Sequence, residues 1–391
     1  MEEELLMIPG PVPVIPRIRE AMSKPMIFHR GDEFAQMYGE IVENLKRIFQ
    51  KRNDLFVLSG SGTCAMEAAI GNLIRRTNSA EKTEREGCVT IANGKFGERF
   101  KEIAERYGAD VTPAHFEWGH SIELEPVKEA LDNCPNLKVV TMVHNETSVG
   151  MLNPAKEVGK LAKKHDAIFV LDCITSIGGD EAPVDEFGAD IAIVGSQKCL
   201  GTPPGLAALS VSEKAWDLIR ENPSRPYYMD LVAYKKSFDK KQTPYTPALP
   251  LFFALQEALA VIREEGMERR IERHRRMSKA VRSAVTSLGL RLFPTLNEVS
   301  DYSNTVTATS IPQELTDDQL RGSMRKKGVV VAGGQGDLKG KIFRIASMGN
   351  ITSTEILKTI EVLEQVLKEN EFIEEEGSGL DAAKEVLSTT L

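Results

Sequence analysis

Lys198 follows an apolar, β-branched run, Ile191 to Val194, that reads as a buried strand, with Gly195, Ser196 and Gln197 on the exit turn. The breaker Gly201–Gly205, GTPPG, closes the stretch Asp190–Gly205 around which the chain is organised. An amine held just past a buried strand sits in a partly dry pocket. There the ammonium is disfavoured, and the neutral amine can attack a carbonyl to form a Schiff base. Most lysines are solvated surface charges, so Lys198 needs partners from elsewhere in the chain to carry such chemistry.

Two other stretches offer partners of the right type. Asp172 ends the apolar run Phe169-Val170-Leu171. A carboxylate there can keep a ring nitrogen protonated and so make a heteroaromatic ring an electron sink. A strand-end Asp also serves as a helix cap or turn former. Ser59-Gly60-Ser61-Gly62-Thr63 joins the apolar strand Asp54–Leu58 to a helix expected from Cys64 to about Ile74. Strand, glycine turn and helix N-terminus together form an anion site, because free N–H groups and the helix dipole hold a phosphate. The same segment matches GxGxxA as Gly60-x-Gly62-x-x-Ala65, so a dinucleotide fold is a rival reading. A capped helix after a glycine turn accounts for it as well. No GxxxxGK[ST] occurs, which disfavours a nucleoside triphosphatase.

The elements that must position these residues alternate. After the stiff Pro9–Pro13 segment comes a short helix, Ile18–Met22, and then a turn where His29 and Arg30 either line a pocket or pair with Asp32 or Glu33. Helical periodicity runs from Phe34 to Phe49. Strands are expected at Val89–Ala92, Ala109–Thr112, Lys138–His144, Ala167–Leu171, Ile191–Val194 and Ala207–Val211, with helices at Glu98–Tyr107, Leu124–Asp132 and Ala155–His165. This spacing predicts an α/β fold with a mostly parallel sheet covered on both faces. In such sheets the residues just past the strand C-termini meet in one crevice: Ser61, Gly62, Thr63, Phe96, Thr147, Asp172, Gln197 and Lys198.

Beyond an irregular segment, Pro223–Thr246, a long interrupted helix, Leu249–Leu288, leads into an α+β unit. It has strands expected at Leu290–Phe293, Thr305–Thr309, Val329–Ala332 and Ile342–Ile345, and helices at Thr316–Lys327 and Thr352–Asn370. The expected division is residues 1–15 crossing to the small domain, 16–255 as the large domain, 256–370 as the small domain, and 371–391 as a C-terminal tail. The tail begins at a flexible joint, Glu374–Gly379, and has no functional reading.

Composition agrees with a globular protein of two units: 391 residues, 41% hydrophobic and 27% charged. A net charge of −8 argues against nucleic-acid partners, and no apolar run is long enough to span a membrane. The acidic N-terminus, soon broken by proline, does not read as a secretory signal. Five scattered cysteines without a CxxC pair fit a reducing cytoplasm. Histidines without HxH or HExxH spacing leave no metal site in this reading.

Taken together, the motifs resemble the class V group of fold-type I pyridoxal-phosphate enzymes, and within it the alanine–glyoxylate and serine–pyruvate aminotransferases. The runs that carry the resemblance are Pro9-Gly10-Pro11, His29-Arg30-x-x-x-Phe34, Ser59-Gly60-Ser61-Gly62-Thr63, Asn93-Gly94-x-Phe96-Gly97 and His144-x-Glu146-Thr147-Ser148-x-Gly150. Further along are Asp172-x-x-x-Ser176-x-Gly178-Gly179, Gly195-Ser196-Gln197-Lys198, Pro203-Pro204-Gly205 and Phe343-Arg344-Ile345. The likeness extends over about residues 6–368.

The resemblance implies a large domain with a mostly parallel, helix-covered sheet, a smaller α+β C-terminal domain, and pyridoxal 5'-phosphate as cofactor. It makes Lys198 the Schiff-base lysine and proton carrier, and Asp172 the partner of the ring nitrogen. Ser61, Gly62, Thr63 and Gln197 become phosphate ligands. Phe96 takes the stacking position, where tryptophan is common in relatives. Thr147 meets the phenolic oxygen, and Ile174 packs on the opposite ring face. Arg344, with Gly10, takes the substrate carboxylate, for which a planar guanidinium suits a bidentate contact. A Tyr/Thr pair from a second subunit reaches the phosphate in the family, and Thr243, Tyr245 and Thr246 are the candidates, so a homodimer is implied.

The implied activity is a ping-pong, Schiff-base transfer of an amino group from a small L-amino acid to a 2-oxo acid. Alanine and serine lead as donors, with aspartate and phosphoserine possible. Glyoxylate, pyruvate or 2-oxoglutarate would accept. His29 or Arg30 near the pocket would favour an acidic side chain. Rival readings are another class V activity and a nicotinamide-dependent dehydrogenase. A cysteine desulfurase would need a cysteine near the C-terminal domain, and none follows Cys199.

Overall fold

Strands buried on both faces need helices on both sides, and that is how this chain is built. The computed structural model describes residues 4–51, 53–76 and 84–388. Strand β1 (Leu5–Met7) precedes α1 (Pro16–Ala21) and α2 (Asp32–Phe49). The alternation then runs β2 (Asp54–Ser59), α3 (Gly62–Leu73), β3 (Gly87–Ala92), α4 (Lys95–Arg106), β4 (Asp110–His115), α5 (Leu124–Asn133) and β5 (Leu137–Val143). Two short strands, β6 (Asn145–Glu146) and β7 (Met151–Leu152), lead to α6 (Ala155–Lys164), β8 (Ile168–Asp172), β9 (Ile191–Gly195) and β10 (Leu206–Val211). Helices α7 (Glu213–Glu221), α8 (Leu231–Phe238), α9 (Leu249–Glu265) and α10 (Met267–Ser287) follow. The remainder comprises β11 (Asp301–Tyr302), β12 (Val306–Ser310), α11 (Ser323–Lys326), β13 (Val329–Gly333), β14 (Ile342–Ala346), α12 (Ser353–Glu369) and α13 (Ser378–Ser388).

The large sheet has the order β2-β10-β9-β8-β5-β3-β4. All neighbours are parallel except β10, which runs antiparallel to both β2 and β9. Side chains alternate between two cores. Val57, Val140, Phe169, Leu171 and Val194 face α2, α5, α6 and α9, whereas Phe56, Val139, Val170 and Ile193 face α3, α4, α7 and α8. The parallel strands therefore send their C-terminal ends to one edge, which is where the helix N-termini also lie.

The second sheet, β1-β13-β14-β12, packs on α10 and α12 over a third core. Its first strand comes from the far end of the chain: Leu5 lies parallel to Val329 and Met7 to Val331. The C-terminal α13 docks on the same core, and the buried carboxylate of Glu364 accepts the N–H groups of Gly379 (2.7 Å) and Leu380 (3.1 Å) at its start. Among the described residues no helix is long and apolar enough to cross a membrane.

The interruption expected in the helix from Leu249 falls at Gly266, whose φ of 83° separates α9 from α10. Two expectations change. Leu290–Phe293 forms no strand and contributes only the bridge Leu292–Thr309. Thr316–Lys327 is a π-helical turn, Asp318–Gly322, followed by the short α11. Gly322 in its middle leaves room for the Asp318 carboxylate, 2.3 Å from where a Cβ would sit.

Candidate active site

Asp172 closes β8 and Lys198 lies three residues past the end of β9, so the parallel pairing of these strands brings acid and amine to one edge. The exit turn of β9 is locked by side chains. Ser196 Oγ donates to the Pro203 carbonyl (2.8 Å), and Thr202 Oγ1 donates to that of Ser196 (2.9 Å). From the other side, the wholly buried Arg270 of α10 donates to the Cys199 carbonyl (2.7 Å) and to that of Gly178 (3.1 Å). The N-terminal segment crosses here: Val12 N–H donates to the Gln197 carbonyl (3.1 Å), and the Lys198 ammonium donates to the Pro9 carbonyl. Gly10, at φ 102°, must lack a side chain, since a Cβ would lie 2.9 Å from Lys198 Nζ.

Ser61 is the N-cap of α3, yet its hydroxyl takes no N–H of its own helix, and the first turn faces the same edge. Gly62 lets that turn approach Ile174 closely, since a Cβ would lie 2.5 Å from Ile174 Cδ1. Phe96 sits in the first turn of α4, held by the buried carboxylate of Glu146. That carboxylate accepts the N–H groups of Phe96 (3.0 Å) and Gly97 (3.1 Å) and the hydroxyl of Ser148 (2.5 Å). Burial pushes the Glu146 carboxyl up from its ordinary value, and these donors oppose the rise.

A cavity of about 150 Å³ results. Ser61, Gly62, Thr63, Phe96, Thr147, Asp172, Ile174, Gln197 and Lys198 line it, together with Arg99, Val143, Asn145 and Thr175. Burial lifts the Asp172 carboxyl to about 7, against the N–H of Ile174 that donates to its Oδ1 (2.7 Å). Burial also lowers the Lys198 ammonium to about 8, so a neutral amine is accessible near neutrality. Arg344, on β14, does not line the cavity, yet its charge reaches Lys198. Its Nη1 donates to the Thr147 carbonyl (2.8 Å), its Nε and Nη2 to that of Gly333 (3.0 and 2.6 Å), and burial lowers it to about 10. The buried Glu146 carboxylate is near enough to oppose that fall.

Several sequence candidates lie elsewhere. Thr243, Tyr245 and Thr246 do not line the cavity. Thr243 Oγ1 donates to the Tyr245 carbonyl, and the Tyr245 hydroxyl donates to that of Tyr227 (both 2.7 Å). His29 and Arg30 do not line it either, and the Arg30 guanidinium is spent on the carbonyls of Thr243 and Pro244. The pocket role expected of these two is not what this chain shows: Arg30 braces the 242–244 loop, and His29 packs edge-on against Phe28. Sequence reasoning missed Arg99, Asn145, Thr175 and the capping role of Glu146. Of these only Glu146 left a trace, as part of the run His144–Gly150.

The donor set suits the cofactor that the resemblance implies. Asn145 Oδ1 and Gln197 Oε1 are buried without partners, the Ser61 hydroxyl is uncommitted to its helix, and an aromatic ring and an aliphatic side chain both line the cavity. A flat, polar-edged ring bearing a phosphate fits that inventory.

Residues 18–338 match the model of the class-V aminotransferase family. The chain is 45% identical over 98% of its length to an uncharacterized aminotransferase of Methanocaldococcus jannaschii, covering 98% of that protein. It is 32% identical to the (S)-ureidoglycine–glyoxylate transaminase of Bacillus subtilis, over 97% of this chain and 94% of the other. The crystal structure of the ureidoglycine–glyoxylate aminotransferase from that organism superposes with a TM-score of 0.91, covering 100% of this chain and 99% of that one. The serine–glyoxylate aminotransferase of Methylorubrum extorquens is 32% identical over 98% of this chain and 95% of its own.

Proposed function

The chain belongs to the class-V aminotransferases, and we propose that it carries an amino group from a small L-amino acid, alanine or serine, to glyoxylate. It is an aminotransferase that uses pyridoxal 5'-phosphate. The observation that carries the reading is the pairing of a desolvated amine, Lys198, with the buried Asp172 in one cavity over the N-terminus of α3. Glyoxylate as acceptor rests on the names of the relatives.

When bound, the cofactor supplies an aldehyde for amines and a ring that takes up the electrons of a broken C–H bond. The first turn of α3, with Ser61, Thr63 and Gln197, would hold its phosphate. Phe96 and Ile174 would flank the ring, and Asp172 would keep a proton at the ring nitrogen. Lys198 Nζ, as a neutral amine, would carry the proton that leaves the substrate Cα. Arg344, pre-set by three hydrogen bonds to backbone carbonyls, would orient the substrate carboxylate.

We assign residues 16–255 to the cofactor-binding domain and 256–370 to the small domain, with 1–15 crossing between them and 371–391 forming the tail. The pairing of β1 with β13 supports this. The aromatic pad beside Tyr245 supports the reading of a homodimer. Tyr227 is 85% exposed and Tyr228 stacks on Tyr245 at 5.0 Å, and Phe28, on the loop that Arg30 ties to the same region, is 70% exposed. Apolar area of this kind is what a partner subunit covers. Free thiols at all five cysteines suit a reducing compartment, the cytoplasm.

The test is a panel of amino donors against glyoxylate, pyruvate and 2-oxoglutarate, read as half-reactions by the absorbance of the bound cofactor. Rapid turnover with alanine or serine and glyoxylate is expected. Turnover confined to aspartate or phosphoserine would refute the assignment.

A further inference from the structure

Arg99 lies on α4, one turn past Phe96, and its guanidinium carbon stands 4.8 Å from the Phe96 ring centroid. It lines the cavity, and no carboxylate pairs with it among the described residues. Its one hydrogen bond there runs from Nη1 to Thr63 Oγ1 (3.1 Å). The direction of that bond matters. A guanidinium can only donate, so the Thr63 oxygen is the acceptor, and its own O–H must point elsewhere. Thr63 makes no donor bond within the described chain, and it sits in the first turn of α3 at the cavity wall.

We infer that Arg99 is a positioning residue for the phosphate of the cofactor: by occupying a lone pair of Thr63 it turns that hydroxyl into a dedicated donor toward a phosphate monoester. Its charge adds to the effect. Asp172 is the only carboxylate lining the cavity, and Arg99 and Lys198 are its cations. Lys198 would be committed to the aldehyde of the cofactor, which leaves Arg99 as the lining cation of this chain free to face a dianion. A guanidinium braced on an aromatic face is weakly hydrated and keeps its charge under such burial. This inference rests on the cofactor site proposed above.

The phosphate-free analogue pyridoxal separates the role from simple support of the Phe96 ring. Full-length protein is freed of cofactor and titrated with pyridoxal phosphate and with pyridoxal, following the visible absorbance. In Arg99→Gln the affinity for pyridoxal phosphate is expected to fall at least about tenfold while that for pyridoxal changes less than about twofold. Thr63→Val is expected to show the same selectivity, and the double variant to lose little more than either single one, since both remove one donor. Equal losses for the two ligands would assign Arg99 to ring support and overturn the inference, as would unchanged pyridoxal phosphate affinity. Additive losses in the double variant would overturn the route through Thr63. Should Arg99→Gln melt before the titration, Arg99→Lys serves, with an intermediate, phosphate-selective loss expected. Wild-type protein that develops no visible band with pyridoxal phosphate would remove the site reading itself, and this inference with it.

Discussion

Arg344 of the four-stranded sheet donates from Nη1 to the main-chain carbonyl of Thr147, just past β6, at 2.8 Å. With Gly333 taking Nε and Nη2, the guanidinium is fixed in plane by two carbonyls from distant segments of the chain before any substrate arrives. Such a group loses little freedom on binding a carboxylate, which is where its contribution to rate arises.

Arg344→Lys therefore keeps a cation but loses both the fork and the bracing. We expect kcat/KM to fall by about 10²-fold, with the affinity for cofactor within about twofold of wild type. Steady-state kinetics beside a cofactor titration decides it. An equal fall in cofactor affinity would place the arginine in cofactor binding instead.

Lys198→Ala is expected to abolish transamination while the protein melts within a few degrees of wild type. Borohydride treatment of the wild-type holoenzyme should leave the cofactor attached to the peptide that contains Lys198, and mass spectrometry of the digest reads this directly. Turnover at the wild-type rate in the variant would refute the lysine's role.

Burial raises the Asp172 carboxyl from 3.8 to about 7 in the protein without cofactor, so its ionised form is held against its preference. The sign follows: the cost is full above about pH 7 and is relieved as pH falls through the interval from 7 toward 3.8. Asp172→Asn, which retains an acceptor for the Ile174 N–H, should stabilise cofactor-free protein at pH 8 by roughly 2–4 kcal/mol. The gain should shrink progressively toward pH 4 in urea titrations. The same variant should lose transamination, because an amide cannot hold the ring nitrogen protonated. A stability difference independent of pH would show that burial is not the cause.

Glu146→Ala removes the acceptor for Phe96 N–H, Gly97 N–H and Ser148 Oγ at the start of α4. Unsatisfied donors at a buried helix terminus predict a loss of about 2–4 kcal/mol, and the cofactor should bind more weakly because Phe96 is no longer held. Glu146→Gln keeps an acceptor and should recover half or more of the stability. Chemical denaturation separates the two.

Light scattering of the holoenzyme should give twice the mass of one chain, and Tyr228→Asp, which places a charge on the aromatic pad, should shift the protein toward monomer. Cofactor should then be lost more readily, since Thr243, Tyr245 and Thr246 would no longer meet the phosphate of a neighbouring subunit. A monomeric wild-type holoenzyme would contradict the cross-subunit contact.

Much of this site is legible in one dimension because the chemistry sits at strand ends. An apolar run that stops at a polar residue announces Asp172 and Lys198, and glycines before a helix announce the turn at Ser61 to Thr63. Which side chains of those runs divide between the two cores is seen in the fold itself. The strand ends and the glycine turn are properties of neighbours along the backbone, and local sterics and burial enforce them wherever the strand happens to lie. What a lone charge does is a different kind of question. Arg99 reads as one more polar residue on the amphipathic α4, and Arg270 as one of many basic residues on α10. Folding alone places the first on Thr63 and buries the second against the Cys199 carbonyl. His29 and Arg30 show the converse, since a basic pair at a turn suggests a pocket and the fold spends the arginine on loop carbonyls. The residue types and strand ends thus determined the candidate chemistry. Only the packing of distant segments decided which cations stay unpaired inside the cavity, because a long flexible side chain takes its partner from whatever the fold brings within reach.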